Sequence, residues 1–290
     1  MPSASAPTTP AKRVASRVID FDLLPERHQP FGPAKTMLAT AAALGLLLPP
    51  HLVAHKMRPA AAPRLPRLFH RVLAHALGIR TTVHGVPARD SGILFVANHL
   101  SWADIPVLGS KLLGHFVAKS EVGAMGPVGW FADLQRTIYV DRDRRHTVPD
   151  QRQAIAERLA AGGNVILFAE GTTGDGVGVR PFKSSLFAVT DGIGDLLIQP
   201  VSLAYTRLNG LPMRRANLPH IAWTGDMTLG PHAVDFMRLG RVEAEVRLYP
   251  AVRAAHFAGR KALARHCEAT VAAGYAAAMR ADRGAARERR

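Results

Sequence analysis

Two clusters of polar residues in this 290-residue chain have types and spacings that could do chemistry. The first is Asn98-His99-Leu100-Ser101-Trp102-Ala103-Asp104. A carboxylate on one imidazole nitrogen fixes the tautomer and makes the other nitrogen a better base. Residues five apart on a single helix sit about 140° around it from each other. The spacing therefore predicts His99 in a turn and Asp104 about one turn into the helix that follows, within reach of the imidazole. The alternative is plain helix capping. Asn98 or Ser101 is then the N-cap, and Asp104 lies in the first turn, where the helix dipole favours an acid.

The second cluster is Ala169-Glu170-Gly171-Thr172-Thr173-Gly174-Asp175-Gly176. Gly174, Gly176 and Gly178 alternate, but Val179 stands where a dinucleotide fingerprint needs its third glycine. No Walker A sequence occurs either. Alone, this block reads as a flexible turn with Glu170 as a solvated carboxylate. Two weaker blocks accompany it. Arg136-Thr137-Ile138-Tyr139-Val140-Asp141-Arg142 places Arg142 just past a short strand. A guanidinium suits phosphate, although Arg144 and Arg145 follow and also allow a solvated basic turn. Ile198-Gln199-Pro200-Val201-Ser202 is an apolar strand whose proline predicts an edge or a bulge.

The elements that must position these residues alternate in type. Continuous apolar runs at 93–97 and 165–168 predict strands buried on both faces. Strands are also expected at 115–118, 137–140, 196–204 and 242–249. Helices are expected at 66–78, 102–113, 148–161 and 258–279, and 280–290 reads as a basic tail. Leu68, Val72, Leu73 and Leu77 share the apolar face of the first helix, and Gly78 stops it. The alternation predicts an α/β fold: a mixed, largely parallel sheet flanked by helices. Both main polar clusters then leave C-terminal strand ends, where such folds place their sites.

Ahead of this lies an apolar segment. No charged residue occurs between Lys35 and Lys56, a run about long enough to cross a bilayer core of ~20 residues. Pro49-Pro50 is expected to break the helix there. A spanning helix, an interfacial or re-entrant helix and a buried helix all remain open, with a membrane-associating role favoured. Cations flank the run on both sides, which suits anionic headgroups. The expected organisation is a disordered basic tail at 1–34, a membrane-associating helical segment at 35–78, an α/β domain at 79–255, and a C-terminal helix with tail at 256–290.

Composition narrows the classes. Hydrophobic residues make up 48% and charged residues 20%, which excludes a disordered chain. A single cysteine, Cys267, excludes a disulfide scaffold and a cysteine-based zinc cluster. With 37 Lys and Arg against 22 Asp and Glu, the net charge of +15 points to a polyanionic partner or an anionic surface. Aromatics reach only 6% and interleave with no basic run, so a stacking platform for single-stranded nucleic acid is not expected.

In this order and spacing, the blocks at 98–104, 138–142, 170–172 and 200–201 resemble those of the glycerolipid acyltransferases. These include the 1-acylglycerol-3-phosphate and lyso-ornithine-lipid enzymes. The stretch from Phe116 to Glu121, followed by Gly129-Trp130, fits as well. The resemblance spans roughly 64–249, and an N-terminal apolar segment is typical of the family. It implies His99 as general base and Asp104 as its orienting partner. It implies Lys119 and Arg142 as holders of the acceptor's anionic head, with Glu170, Gly171 and Thr172 shaping the acceptor site. The implied reaction moves a fatty acyl group from acyl-CoA or an acyl carrier protein to a lysolipid hydroxyl. No cofactor, metal or nucleic acid takes part, and the catalytic domain lies on the cytoplasmic side of a bacterial-type inner membrane. The family's third block often reads Glu-Gly-Thr-Arg, whereas position 173 is Thr here. Arg180 or Lys183 could substitute in binding phosphate. Lysophosphatidic acid is placed first as acceptor, because most of the family uses it, and a lyso-ornithine lipid second. A non-catalytic basic membrane protein is the alternative from another class.

Overall fold

The structure is a computed structural model, and it describes residues 29–57, 64–140, 148–191, 193, 195–225 and 227–287. Residues 1–28 of the tail expected at 1–34, and the basic turn around Arg142, lie outside the described residues, and α1 already begins at Gly32, inside that expected tail. Helices α1 (Gly32–Met57) and α2 (Arg64–Ala76) precede strands β1 (Ile79–His84) and β2 (Leu94–Ala97). Then come α3 (Asp104–Lys111), β3 (His115–Lys119), α4 (Ser120–Gly123), α5 (Pro127–Leu134), β4 (Ile138–Val140), α6 (Val148–Ala160) and β5 (Val165–Phe168). The chain ends with β6 (Leu197–Leu208), β7 (Leu211–Pro212), α7 (Leu229–Arg238), β8 (Val242–Leu248), β9 (Val252–Arg253) and α8 (Arg260–Arg287).

The sheet order is β1-β8-β6-β2-β5-β3-β4, with β7 and β9 also paired to β6. Strands β6, β2, β5, β3 and β4 are parallel neighbours, while β8 runs against β6. The C-terminal ends of β2, β5 and β3 therefore share one edge. Every residue of β2 and β5 is buried, as their unbroken apolar runs predict for central parallel strands. Helices α2 and α3 pack together, α1 lies on α2 and α7, and α6 and α8 pack elsewhere, with the 3-10 segment Ser184–Asp191.

Several expectations change. Pro200 lies inside β6 between β2 and β8, not on an edge. Its carbonyl accepts from Tyr249 N at 3.1 Å, so its missing N–H faces the same neighbour, in the gap between β9 and β8. The β2 ladder loses nothing. Helix α1 continues through Pro49 and Pro50 instead of breaking there. The carbonyls left without donors are those of Gly45 and Leu46, both on exposed residues. Thr36 Oγ1 donates to Ala76 O at 2.9 Å, and His51 Nε2 lies 2.9 Å from Leu134 O. These contacts hold both halves of α1 to the domain.

In α2 the buried residues are His70, Ala74 and Ala76, with Leu77 just beyond, whereas Leu68 is exposed. The reason is close packing on α3: a Cβ on Gly109 would stand 2.4 Å from the His70 ring. Gly78, at φ 75°, ends this helix as expected. Strand β1 was not legible because its alternation is polar and mostly exposed. Helix α8 extends to Arg287, taking in most of the expected basic tail.

Candidate active site

The site begins where β2 ends. Asn98 is buried and caps no helix. Its Nδ2 donates to Leu203 O at 2.9 Å, and its Oδ1 accepts from Leu203 N at 2.8 Å. The side chain thus continues the β2–β6 ladder one residue past the strand. The backbone then turns, and α3 starts at Asp104 itself. Asp104 opens the helix rather than lying one turn inside it. The backbone amides of Leu100 and Ser101, in the turn ahead of it, donate to its own carboxylate.

Asp104 is fully buried. Its Oδ2 lies 2.8 Å from His99 Nδ1 and accepts from Leu100 N at 2.6 Å and Ser101 N at 2.9 Å. Its Oδ1 accepts from the Tyr205 hydroxyl at 2.8 Å. A carboxylate serves all these partners as acceptor, which assigns the proton to Nδ1 and leaves Nε2 as the basic nitrogen. The helix N-terminus adds a favourable dipole. Burial, aided by the Asp104 charge, holds the Tyr205 phenol well above its ordinary pKa, so it remains a donor. The imidazole stacks on Phe168 with centroids 3.8 Å apart at 11°, and the His99 side chain keeps 16% of its exposure.

Glu170 follows β5 and joins the second cluster to the first. Its Oε1 accepts from His99 N at 2.8 Å and its Oε2 from Arg180 N at 3.0 Å. Burial pushes its carboxyl up to about 7, against the pull of those two amides. It is a buried clamp between two backbones, not the solvated carboxylate that the block alone suggests. Gly174 N donates to His99 O at 2.7 Å, a second tie between the turns. Gly171 sits at φ 73° with its N–H on Phe168 O, a turn that a side chain would strain. Thr172 is exposed beside it.

Lys119 is exposed at the end of β3, on the same sheet edge but one strand beyond β5. Arg142 lies outside the described residues. The structure therefore brings His99, Asp104 and Glu170 together, with Gly171 and Thr172 on the adjoining turn and Lys119 at the rim.

Sequence reasoning missed Tyr205 and Asn98 as partners. A tyrosine inside an apolar strand was the available signal, since a buried phenol needs a hydrogen-bond partner. It also missed Trp102, whose Nε1 donates to His232 Nδ1 at 3.0 Å while the ring packs edge-on against Phe236. Cys267 is fully buried in α8, and burial pushes its thiol up to about 12. It is a protonated core residue, unsuited to covalent acyl transfer. Among the described residues, no group of three or more His, Cys, Asp or Glu could hold a metal.

A buried carboxylate orienting a partly exposed imidazole can draw a proton from a hydroxyl. Comparison with known proteins agrees with that chemistry. A family model described as Acyltransferase matches residues 80–204. The chain is 40% identical over 251 residues to the lyso-ornithine lipid O-acyltransferase of Brucella abortus, covering 83% of this chain and 94% of that one. It is 34% identical over 101 residues to the 1-acyl-sn-glycerol-3-phosphate acyltransferase of Neisseria gonorrhoeae, covering 35% of this chain and 40% of that one. The crystal structure of the 1-acyl-sn-glycerophosphate acyltransferase from Thermotoga maritima shares the fold. Its TM-score is 0.61 at 20% identity, over 84% of this chain and 96% of that one. The non-catalytic alternative is thereby set aside, and this chain belongs to the glycerolipid acyltransferase family as a lysolipid acyltransferase.

Proposed function

We propose that the enzyme acylates the free hydroxyl of a lyso-ornithine lipid, using an acyl-CoA or acyl-carrier-protein thioester, with His99 as general base. The observation that carries the chemistry is the His99–Asp104 pair at 2.8 Å, with Nδ1 committed and Nε2 left over. His99 Nε2 takes the hydroxyl proton as the oxygen attacks the thioester carbonyl. The tetrahedral adduct collapses to the ester and expels the thiolate, which recovers the proton from the imidazolium. A thioester and an alcohol become an ester and a thiol, with no enzyme nucleophile. Such base catalysis is worth roughly 10²–10⁴-fold.

Two observations favour the ornithine acceptor over lysophosphatidic acid, reversing the order expected from the sequence. The relatives aligned over most of both chains carry the lyso-ornithine name, whereas the phosphate-acceptor relatives align over shorter stretches. Thr173 also stands where the family often has an arginine. Lys119 at the end of β3, and Arg142, which follows β4 in the sequence, are proposed to hold the acceptor's carboxylate. Glu170, Gly171 and Thr172 shape the floor on which it sits. The test is kcat/KM for lyso-ornithine lipid and for lysophosphatidic acid with the same detergent-solubilised enzyme. A ratio favouring the phosphate lipid overturns the acceptor assignment. If the ornithine lipid is native, Thr173→Arg shifts the ratio toward phosphate.

The same reading seats the enzyme on the cytoplasmic face of the inner membrane, where thioester donors are made. Helix α1 is the one described helix long and apolar enough to cross a bilayer. Its docked face runs along α2 and reaches α5, while Leu38 at 74% and Leu46 at 75% exposure face outward. A spanning α1 would drag α2 and α5 into the hydrocarbon, so a helix lying in the interface suits this packing better.

A further inference from the structure

A cleft of about 400 Å³ lies behind the glycine-rich loop, away from the α1–α2 pair. Its floor is apolar, formed by Leu218, Tyr275 and Met279. One wall is the loop 176–179, and the other is α8, where Ala272 and Ala276 leave room. Arg215 and Arg280 stand at its rim, both exposed. Among the described residues neither guanidinium pairs with a carboxylate, although Arg238, Arg241, Arg247, Arg253 and Arg260 all do.

The cleft is coupled to the catalytic turn. The Tyr275 hydroxyl donates to Gly176 O at 2.6 Å and pins the loop to α8. A Cβ on Gly176 would stand 3.0 Å from Leu218 and 3.2 Å from Leu100, the residue after His99. The loop is therefore packed between the cleft and the turn, with Leu218 on one side and Leu100, next to His99, on the other.

We propose that this cleft binds the phosphopantetheine arm of the acyl donor. The assignment rests on the acyl-transfer reading above and locates its second substrate. The two substrates come from different phases. The acceptor is a membrane amphiphile and enters from the side of α1. The donor is water-soluble, and its arm has an apolar, amide-containing stem ending in a phosphate. Those features match an apolar floor and two guanidiniums without a carboxylate partner among the described residues, which bind phosphate in a planar, two-point manner. CoA and a carrier protein both present this arm, so either could supply it.

The test measures binding of CoA and, separately, of holo-acyl carrier protein to the full-length enzyme and to Arg215→Ala/Arg280→Ala by calorimetry. Both positions are exposed, so the variant keeps the fold, checked by its melting temperature. Wild type is expected to bind at least one probe, with Kd about tenfold weaker in the variant. The probe bound more tightly identifies the source. The double Lys variant recovers part of the loss. In turnover, KM for the donor rises while KM for the lysolipid stays put. Equal Kd in both proteins, no binding of either probe by wild type, or a rise in the lysolipid KM instead would overturn the assignment. Because binding is read without turnover, a failure of lysolipid acylation would sink the acceptor reading and leave this one standing.

Discussion

The turn at 98–104 and helix α1 are built on opposite principles. In the turn the central carboxylate is held from several directions: Asp104 alone joins His99, two backbone amides and Tyr205 from a strand a hundred residues away. Helix α1 is held along one face by Thr36 and His51, while its outer face presents apolar side chains to its surroundings. The turn finds its described partners within the protein. The helix is complete only when something apolar covers it. On the proposed function the difference has a reason: reaction geometry has to be exact to fractions of an ångström, whereas membrane contact only has to be apolar and broad.

That contrast can be broken most severely at His99. His99→Ala is expected to lower kcat by about 10²–10⁴-fold without changing the fold, since the ring lies partly exposed. Near-normal turnover in the purified variant would refute the mechanism. Asp104→Asn comes next. It keeps the shape but lets Nδ1 face an amide, so most activity goes and the pH–rate profile changes. Tyr205→Phe should cost about 1–3 kcal/mol of stability, because a carboxylate oxygen loses its buried donor. Its kcat should fall less than that of the Asp104 variant, and an unchanged pH profile would show that Tyr205 only supports the fold.

Glu170 sharpens the comparison through pH. Its native pKa is about 7 against an ordinary value of 4.5, so the folded state holds the extra proton more tightly. Its contribution to stability is therefore greatest at low pH and declines as pH rises from about 4.5 to 7. The melting-temperature difference between wild type and Glu170→Gln should shift in favour of wild type on acidification through that window. A difference independent of pH would show that folding does not raise this carboxyl's pKa.

Replacing outward-facing Leu38, Leu46 and Val53 by Ser should move protein from membrane to soluble fractions, with only a small change in kcat on detergent-solubilised substrate. If high salt alone strips wild type from membranes, attachment is electrostatic and the apolar face of α1 has no anchoring role. The smallest effect is expected at Cys267, where Ala should leave turnover per folded enzyme unchanged.

Strands β2 and β5 were legible because full burial demands unbroken apolar runs, and runs of that kind are readable locally. Strand β1 was not, because an edge strand needs only backbone pairing and can carry Arg80, Thr81 and Thr82. Pro200 misled for a related reason. Whether a missing N–H matters depends on which neighbour it faces, and two different strands, β8 and β9, meet there. Pro49 and Pro50 misled because helix breaking is a local cost, and tertiary docking at Thr36 and His51 outweighs it here.

The His99–Asp104 pair could be named from residue type and spacing, and Glu170 from the order of the blocks that resemble the family, together with the strand ends that carry them, because these are properties of short stretches. How each one is held is decided by distant partners. Asp104 is oriented by Tyr205, His99 is held at its backbone by Glu170, and Asn98 is bound to β6. Each of these bonds spans 71 residues or more of chain, so no local pattern records it. The pairing of strands brings those partners within hydrogen-bonding distance, and burial then makes each unmade bond costly enough that a single arrangement survives.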